Sequence, residues 1–242
     1  MITRSALPVI AGLTLLATTG CVVEEAGKTE HESTHIAVGK AESVRAELDM
    51  GAGELRIGGD ATELLDADFT FNRRDWEPKV DYNGNSFRGL LTIRQGHDAG
   101  GGIHLGNNEY KWDLRFNNDM PLDLYVNCGA GEGNLDLSHL TLRDLDVNMG
   151  VGRVEANLPP DPKRDYDVRI HGGIGEAVLR LPTKVGVVAD ASGGIGDIQT
   201  EGLHKHGGRW VNDVYEQSTN SVTVHVQVQG GIGSIRLLTT GS

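Results

Sequence analysis

The stretch Leu124-Tyr125-Val126-Asn127-Cys128-Gly129-Ala130-Gly131-Glu132-Gly133-Asn134-Leu135-Asp136-Leu137 decides the fold. Its apolar side chains fall on even positions up to Cys128 and on odd positions from Leu135. A β-strand has a period of two, so an uninterrupted strand keeps its buried face on one parity. The change across Gly129-Ala130-Gly131 requires an inserted residue or a corner, and glycine permits either. The segment reads as strand, glycine corner, strand.

The same phrase occurs six times: at Gly51 and Gly53, Gly129 and Gly131, Gly150 and Gly152, Gly173 and Gly175, Gly194 and Gly196, Gly231 and Gly233. A polar residue follows each copy: Glu54, Glu132, Arg153, Glu176, Asp197 and Ser234. Parity changes each time, for example from Val44, Ala46, Leu48 and Met50 to Leu55 and Ile57. Met50, Cys128 and Met149 precede the first three copies, whose middle residues are Ala52, Ala130 and Val151. Gly172, Gly193 and Gly230 precede the last three, whose middle residues are Ile174, Ile195 and Ile232. Large beside small, then none beside large, is the exchange expected of side chains sharing a fixed core volume.

Four consecutive copies begin 21, 23 and 21 residues apart, within the repeat lengths of solenoids. The expected architecture is all-β, a repetitive stack of short strands forming a β-solenoid with glycine corners; a β-sandwich is the alternative. The long gaps from 51 to 129 and from 194 to 231 call for insertions or degenerate units. Gly100, Gly101 and Gly102 lack the phrase and read as a looser turn. Stacking in chain order would align Glu132, Arg153, Glu176 and Asp197, leaving Glu176 and Asp197 as adjacent like charges that need a cation or splayed side chains. The Pro159–Pro162 segment reads as a surface loop, so residues 41–242 form one repetitive domain.

Residues 1–20 have the make-up of a leader: Arg4, an apolar run from Ala6 to Ala17, then small residues before Cys21. Ala17-Thr18-Thr19-Gly20-Cys21 resembles the bacterial lipobox, which implies a lipid on Cys21 and a membrane partner through it. Val22, with no Asp after the cysteine, suits an outer-membrane destination by the sorting rule of double-membrane bacteria. Residues 21–40 are polar and read as a tether. With Cys21 acylated, Cys128 has no disulfide partner and reads as a small buried hydrophobe. The net charge of −12 argues against nucleic-acid partners and for solubility, or for cationic ligands.

Several motifs resemble chemistry without its context. His31-Glu32-Ser33-Thr34-His35 fits the zinc-protease HExxH pattern but lies in the tether, where nothing would bury a helix. None of the glycine phrases has the third glycine or alanine of a dinucleotide fingerprint. Gly193–Asp197 misses the calcium nonapeptide by one place and lacks its nine-residue period. His204 and His206 sit in an unpatterned insertion, and no Ser, His and acid fall in a recognisable catalytic order. Trp76, Tyr82, Trp112 and Trp210 read as packing residues. No catalytic residue, cofactor or metal site is expected.

The phrases Glu47–Leu55, Leu65–Asn72, Trp112–Leu124, Cys128–Glu132 and Leu142–Gly152 carry a resemblance to the toast-rack family of bacterial envelope proteins, clearest over about 47–158. That family is related to cell-wall-active-antibiotics response proteins and "putative adhesins". The resemblance implies a stacked all-β module in the cell envelope, tied to adhesion or stress response, and brings no catalytic residues. The functional expectation is a non-enzymatic, lipid-anchored structural or interaction module with an envelope protein or peptide partner. A sensor binding cationic peptides through an acidic surface is the alternative. A hydrolase would need a site in the insertions 58–121 or 201–217.

Overall fold

The computed structural model describes residues 27–96, 108–217 and 222–239. The leader, Cys21 and Gly100–Gly102 lie outside these. Six long strands each carry one glycine phrase: β2 (Ser43–Gly58), β7 (Leu122–Asp136), β8 (Leu142–Asn157), β9 (Tyr166–Arg180), β10 (Gly186–Glu201) and β13 (Thr223–Leu238). They pair in parallel, in the spatial order β2, β7, β8, β9, β13, β10.

Parallel pairing with such short links forces the strands to bend. Residues 137–141 join β7 to β8. Five extended residues reach about 18 Å, whereas a straight 15-residue strand spans about 50 Å. Each strand therefore folds back at its glycines into two arms, and the arms face each other across the core. Burial follows this geometry: Leu124, Val126 and Cys128 on the first arm and Leu135 on the second are all buried. The parity change is the signature of that bend.

The two glycines of each phrase serve the bend differently. The second holds a positive φ, 150° at Gly53 and 138–146° at Gly131, Gly152, Gly175, Gly196 and Gly233, where side chains are strained. Both are crowded by the layer beneath, the first without a positive φ. A Cβ on Gly150 would collide with the carbonyl oxygen of Gly129 in the layer beneath, and the same relation recurs from layer to layer.

The first long gap is filled by a divided layer. β5 (Arg88–Arg94) pairs with the first arm of β2 at Ser43–Asp49, and β6 (Tyr110–Phe116) pairs with the second at Glu54–Gly58. β4 (Lys79–Asn83) lies antiparallel on β5; β3 (Leu65–Phe71) lies antiparallel on β6, and β1 (Glu30–Ile36) on β3. Phe69, Trp112 and Phe116 are almost fully buried there, with Phe69 edge-on to Trp112 at 5.8 Å. Insertion 58–121 is thus largely an aromatic cap. The second gap holds the hairpin of β11 (His204–His206) and β12 (Arg209–Val211), followed by the one-turn helix α1 (Asp213–Gln217).

Three expectations are corrected. Residues 30–36, assigned to the tether, form a strand because β3 offers a free edge along its whole length. Layers do not follow chain order: β13 pairs with both β9 and β10, so Ser234 separates Glu176 from Asp197 and no cation is needed between them. The isoleucines do not take up the volume left by Gly172 and Gly193. A Cβ at either glycine would meet nothing within 4 Å, while Ile174 and Ile195 stand outside at the apex of the bend.

The bend makes the glycine positions separable by experiment. Gly152→Ala combines a positive φ with a backbone collision and is expected to lower stability by about 3 kcal/mol or more, whereas Gly172→Ala enters open space and should cost less than about 1 kcal/mol. Urea melts of the two variants measure the contrast; equal losses would refute the assignment. Ending the chain at Gln217 removes an internal layer and should leave β10 open to proteolysis, whereas chain-order stacking would leave β10 protected.

Candidate functional site

The middle residues of the phrases form one row across the sheet: Ala52, Ala130, Val151, Ile174, Ile232 and Ile195, each in register with the next. The row grows more apolar toward the β10 end. Val151, Ile174 and Ile232 are about half exposed (51, 52 and 49%) and Ile195 is 69% exposed. Isolated exposed apolar residues are ordinary, but four in one ladder form a contiguous ridge. Beneath it, a hollow of about 60 Å³ opens where Gly172 and Gly230 stand in place of methionine, lined also by Met149, Ile170, Val228 and Ile235.

The two ends of the stack differ. At the β2 end the corner is closed: Gln95 Oε1 accepts from the Gly51 backbone N–H at 2.6 Å and from Ala52 N–H at 3.3 Å, and Tyr110 abuts Gly53. At the β10 end, among the described residues, only Val188 and Ala189 are paired on the outer side, by β12. Buried Asn212 fastens that hairpin: its Oδ1 accepts from Val187 N–H at 2.9 Å and its Nδ2 donates to the Val185 carbonyl at 2.8 Å. Every residue from Ser192 to Gln199 is exposed. Ile198 shares the inward row of Val154, Ala177 and Ile235 yet remains 37% exposed, because nothing described covers the second arm of β10.

An open groove of about 710 Å³ crosses the layers beside the corners, lined by glycines and a polar ladder. In that ladder Asn127 Nδ2 donates to Asp49 Oδ1 at 2.8 Å and Asn148 Nδ2 to Asn127 Oδ1 at 3.1 Å. Several acidic side chains on the outer faces are stitched by arginine. Arg169 reaches Asp144 (2.7 Å), Asp146 (3.3 Å) and Asp167 (3.5 Å). Buried Asp123 lies between Arg88 and Arg143, and Arg153 and Arg236 flank Glu176.

The family profile for the N-terminal domain of toast_rack, DUF2154, matches residues 25–180, well over half of the chain. The chain belongs to the toast-rack family. A solved Clostridium sporogenes ATCC 15579 structure described as a "putative cell adhesion protein" is 30% identical, with a TM-score of 0.83 over 87% of this chain and 99% of its own. A Bacteroides fragilis NCTC 9343 structure described as a "putative adhesin" is 10% identical over 88% of this chain and 99% of its own; its TM-score of 0.35 supports no argument. None of the curated proteins matches.

In this toast-rack chain the motifs singled out from sequence do not assemble. His31 and His35 lie on β1, a strand, where four residues span about 13 Å in place of one helical turn. Their imidazoles contact Thr70 (3.0 Å) and Asp66 (2.7 Å) separately. Cys128 is a buried thiol whose pKa burial pushes up, as suits a packing residue. Among the described residues no group of three or more His, Cys, Asp or Glu is arranged for a metal. Alternation alone does not reveal the apolar ridge or the bare half-end, because Val151, Ile174, Ile195 and Ile232 keep the parity of the core residues that precede them.

His204 and His206 do meet a common partner, Glu216 of α1. His204 Nε2 lies 3.0 Å and His206 Nδ1 2.8 Å from its Oε1. The hydrogen bond from His204, seconded by His206, holds the Glu216 pKa below the ordinary 4.5. A lowered carboxylate pKa means the latch contributes above the carboxylate range and is lost as pH falls through it. Hydrogen exchange in residues 204–217 should therefore accelerate beyond the intrinsic pH effect between about pH 7 and about pH 3 in wild type, and Glu216→Gln should abolish that difference.

Proposed function

We propose that this toast-rack chain is a non-enzymatic adhesive module of the bacterial envelope, held by a lipid on Cys21 at the outer membrane, with an envelope protein or peptide as its partner. The apolar ridge from Val151 to Ile195 carries the reading: a β stack with a buried core has no packing reason to display four in-register aliphatic residues. Membership of the family and the likeness to the Clostridium protein support an adhesin-like module located in the envelope or outside the cell. Adhesive contact is the direct route by which such a module serves attachment; a role in envelope stress response would use the same surface.

The alternative reading, a sensor for cationic peptides, depends on free acidic charge. Arginines already engage Asp123, Asp144, Asp146, Glu155 and Glu176, which weakens that reading relative to the ridge. Cells carrying the chain provide the test. Ile174→Lys with Ile232→Lys should reduce adherence several-fold at unchanged chain level, and Cys21→Ser should release the chain from the membrane fraction. Unchanged adherence in the ridge variant would end the adhesive reading. Capture of a lysine-rich peptide that is lost in high salt would favour the sensor.

A further inference from the structure

We infer that the second arm of β10, residues 197–201, accepts an extended segment of a partner protein as an added strand, one whose side chains alternate between aliphatic and basic. This rests on the reading of the chain as a module with an envelope protein or peptide partner, and it supplies that partner's chemistry. The starting point is an unfinished edge. β10 is paired with β13 along one side as far as Glu201, while on the other the hairpin meets it only at Val188 and Ala189 among the described residues. Both of those lie on the first arm, so the second arm presents a bare edge about 17 Å long. Such edges take up extended chains, the main chain supplying affinity and alternate side chains supplying specificity.

The opposite end of the sheet shows how this chain protects an edge. On β1, Glu30, Glu32 and Thr34 fall opposite Phe71, Phe69 and Ala67, so charged side chains continue a row of buried residues. A charge on the inward row deters strand addition. On the second arm of β10 the equivalent row is Ile198 and Thr200, in register with the buried Ile235 and Leu237. Ile198 also borders the hollow beneath the ridge, together with Gly193 and Ile195. An aliphatic side chain laid opposite Ile198 would cover it and close that side of the hollow.

The outward row fixes the other half of the pattern. Asp197 lies beside Ser234 and Glu201 beside Leu238, neither of which carries charge. Arg236, between them at the Gln199 position, reaches back to Glu176 at 3.8 Å. Among the described residues the two carboxylates are therefore met by no cation, and both are exposed. Side chains directly opposite on one face of a sheet interact, and opposite charges there stabilise the pair. A strand with basic residues opposite Asp197 and Glu201, and aliphatic residues opposite Ile198 and Thr200, satisfies both rows at once. Either chain direction does so, because the pattern reads the same both ways. The added strand needs no glycine corner, since the pairing stops short of the bend at Gly196.

Amide chemical shifts of the full chain, titrated with the blocked peptide Gly-Lys-Val-Thr-Val-Lys-Gly, test this. Shifts should concentrate at residues 197–201, with a dissociation constant on the order of 100 µM for so short a strand. Replacing both valines by serine keeps the charge and should weaken binding at least about tenfold. Asp197→Lys with Glu201→Lys should lose the basic peptide and gain its Glu-Val-Thr-Val-Glu counterpart, which a misfolded variant could not do. Successive amides of a strand face opposite edges. Methylating either the two valine nitrogens or the lysine and threonine nitrogens should therefore abolish binding in one case only. No shift at residues 197–201, equal binding of the serine peptide or of both methylated peptides, or a doubly substituted chain that still prefers lysine would overturn the proposal. Adherence through the ridge is read in cells without the peptide, so the two readings fail separately.

Discussion

Backbone sits against backbone at every corner of this protein. Where one layer's glycine carbonyl projects, the next layer's side chain would have to be, and only hydrogen fits. That close approach allows six strands to bend at the same height and keep one hydrogen-bonded register through the bend. It also pins the register: sliding any layer by a residue would bring a side chain against a carbonyl and expose its apolar rows. The core of Leu124, Leu145, Val168 and Val226, all essentially inaccessible, is a consequence of that alignment.

A stack built this way has two ends and one outer corner, and the chain treats them unequally. Around β2 it spends some sixty residues on closure, with a divided layer, an aromatic cluster and the Gln95 amide standing in for a seventh corner. Around β10 it supplies a three-residue strand, a buried asparagine and a single turn of helix, which cover only the start of the first arm. Along the corner itself, alanine gives way to isoleucine toward that same end. Exposed apolar surface and unpaired edge thus coincide at the C-terminal layers.

Charge plays a different part. Parallel in-register layers stack like residues on like, so an acidic chain risks columns of carboxylates. Arginines interrupt them, as Arg153 does between Glu132 and Glu176, and as Arg169 does by gathering three aspartates. The negative total therefore coexists with columns in which particular carboxylates are neutralised by a neighbouring arginine, while the field at long range stays that of the net charge.

Much of the local structure was written in the residues. The parity change marked each bend, the burial of Cys128 followed from the same alternation, and the Glu47–Leu55 and Cys128–Glu132 phrases pointed to the family. What the residues could not carry was neighbourhood. Every copy has the same period-two pattern, so nothing local distinguishes β10 from β13 as the partner of β9; that choice falls to the hairpin, which holds the outer edge of β10 and leaves the closing strand to enter between them. The split layer of β5 and β6 has no phrase to announce it, and β1 became a strand only because β3 presented an edge. Nor could alternation tell the inside of a bend from its outside, since Ile174 continues the even count of Val168 and Ile170, and Ile195 the odd count of Ala189 and Ala191, up to the corner. Periodicity determines which residues share a face, but the direction that face looks is decided only when the layers are assembled.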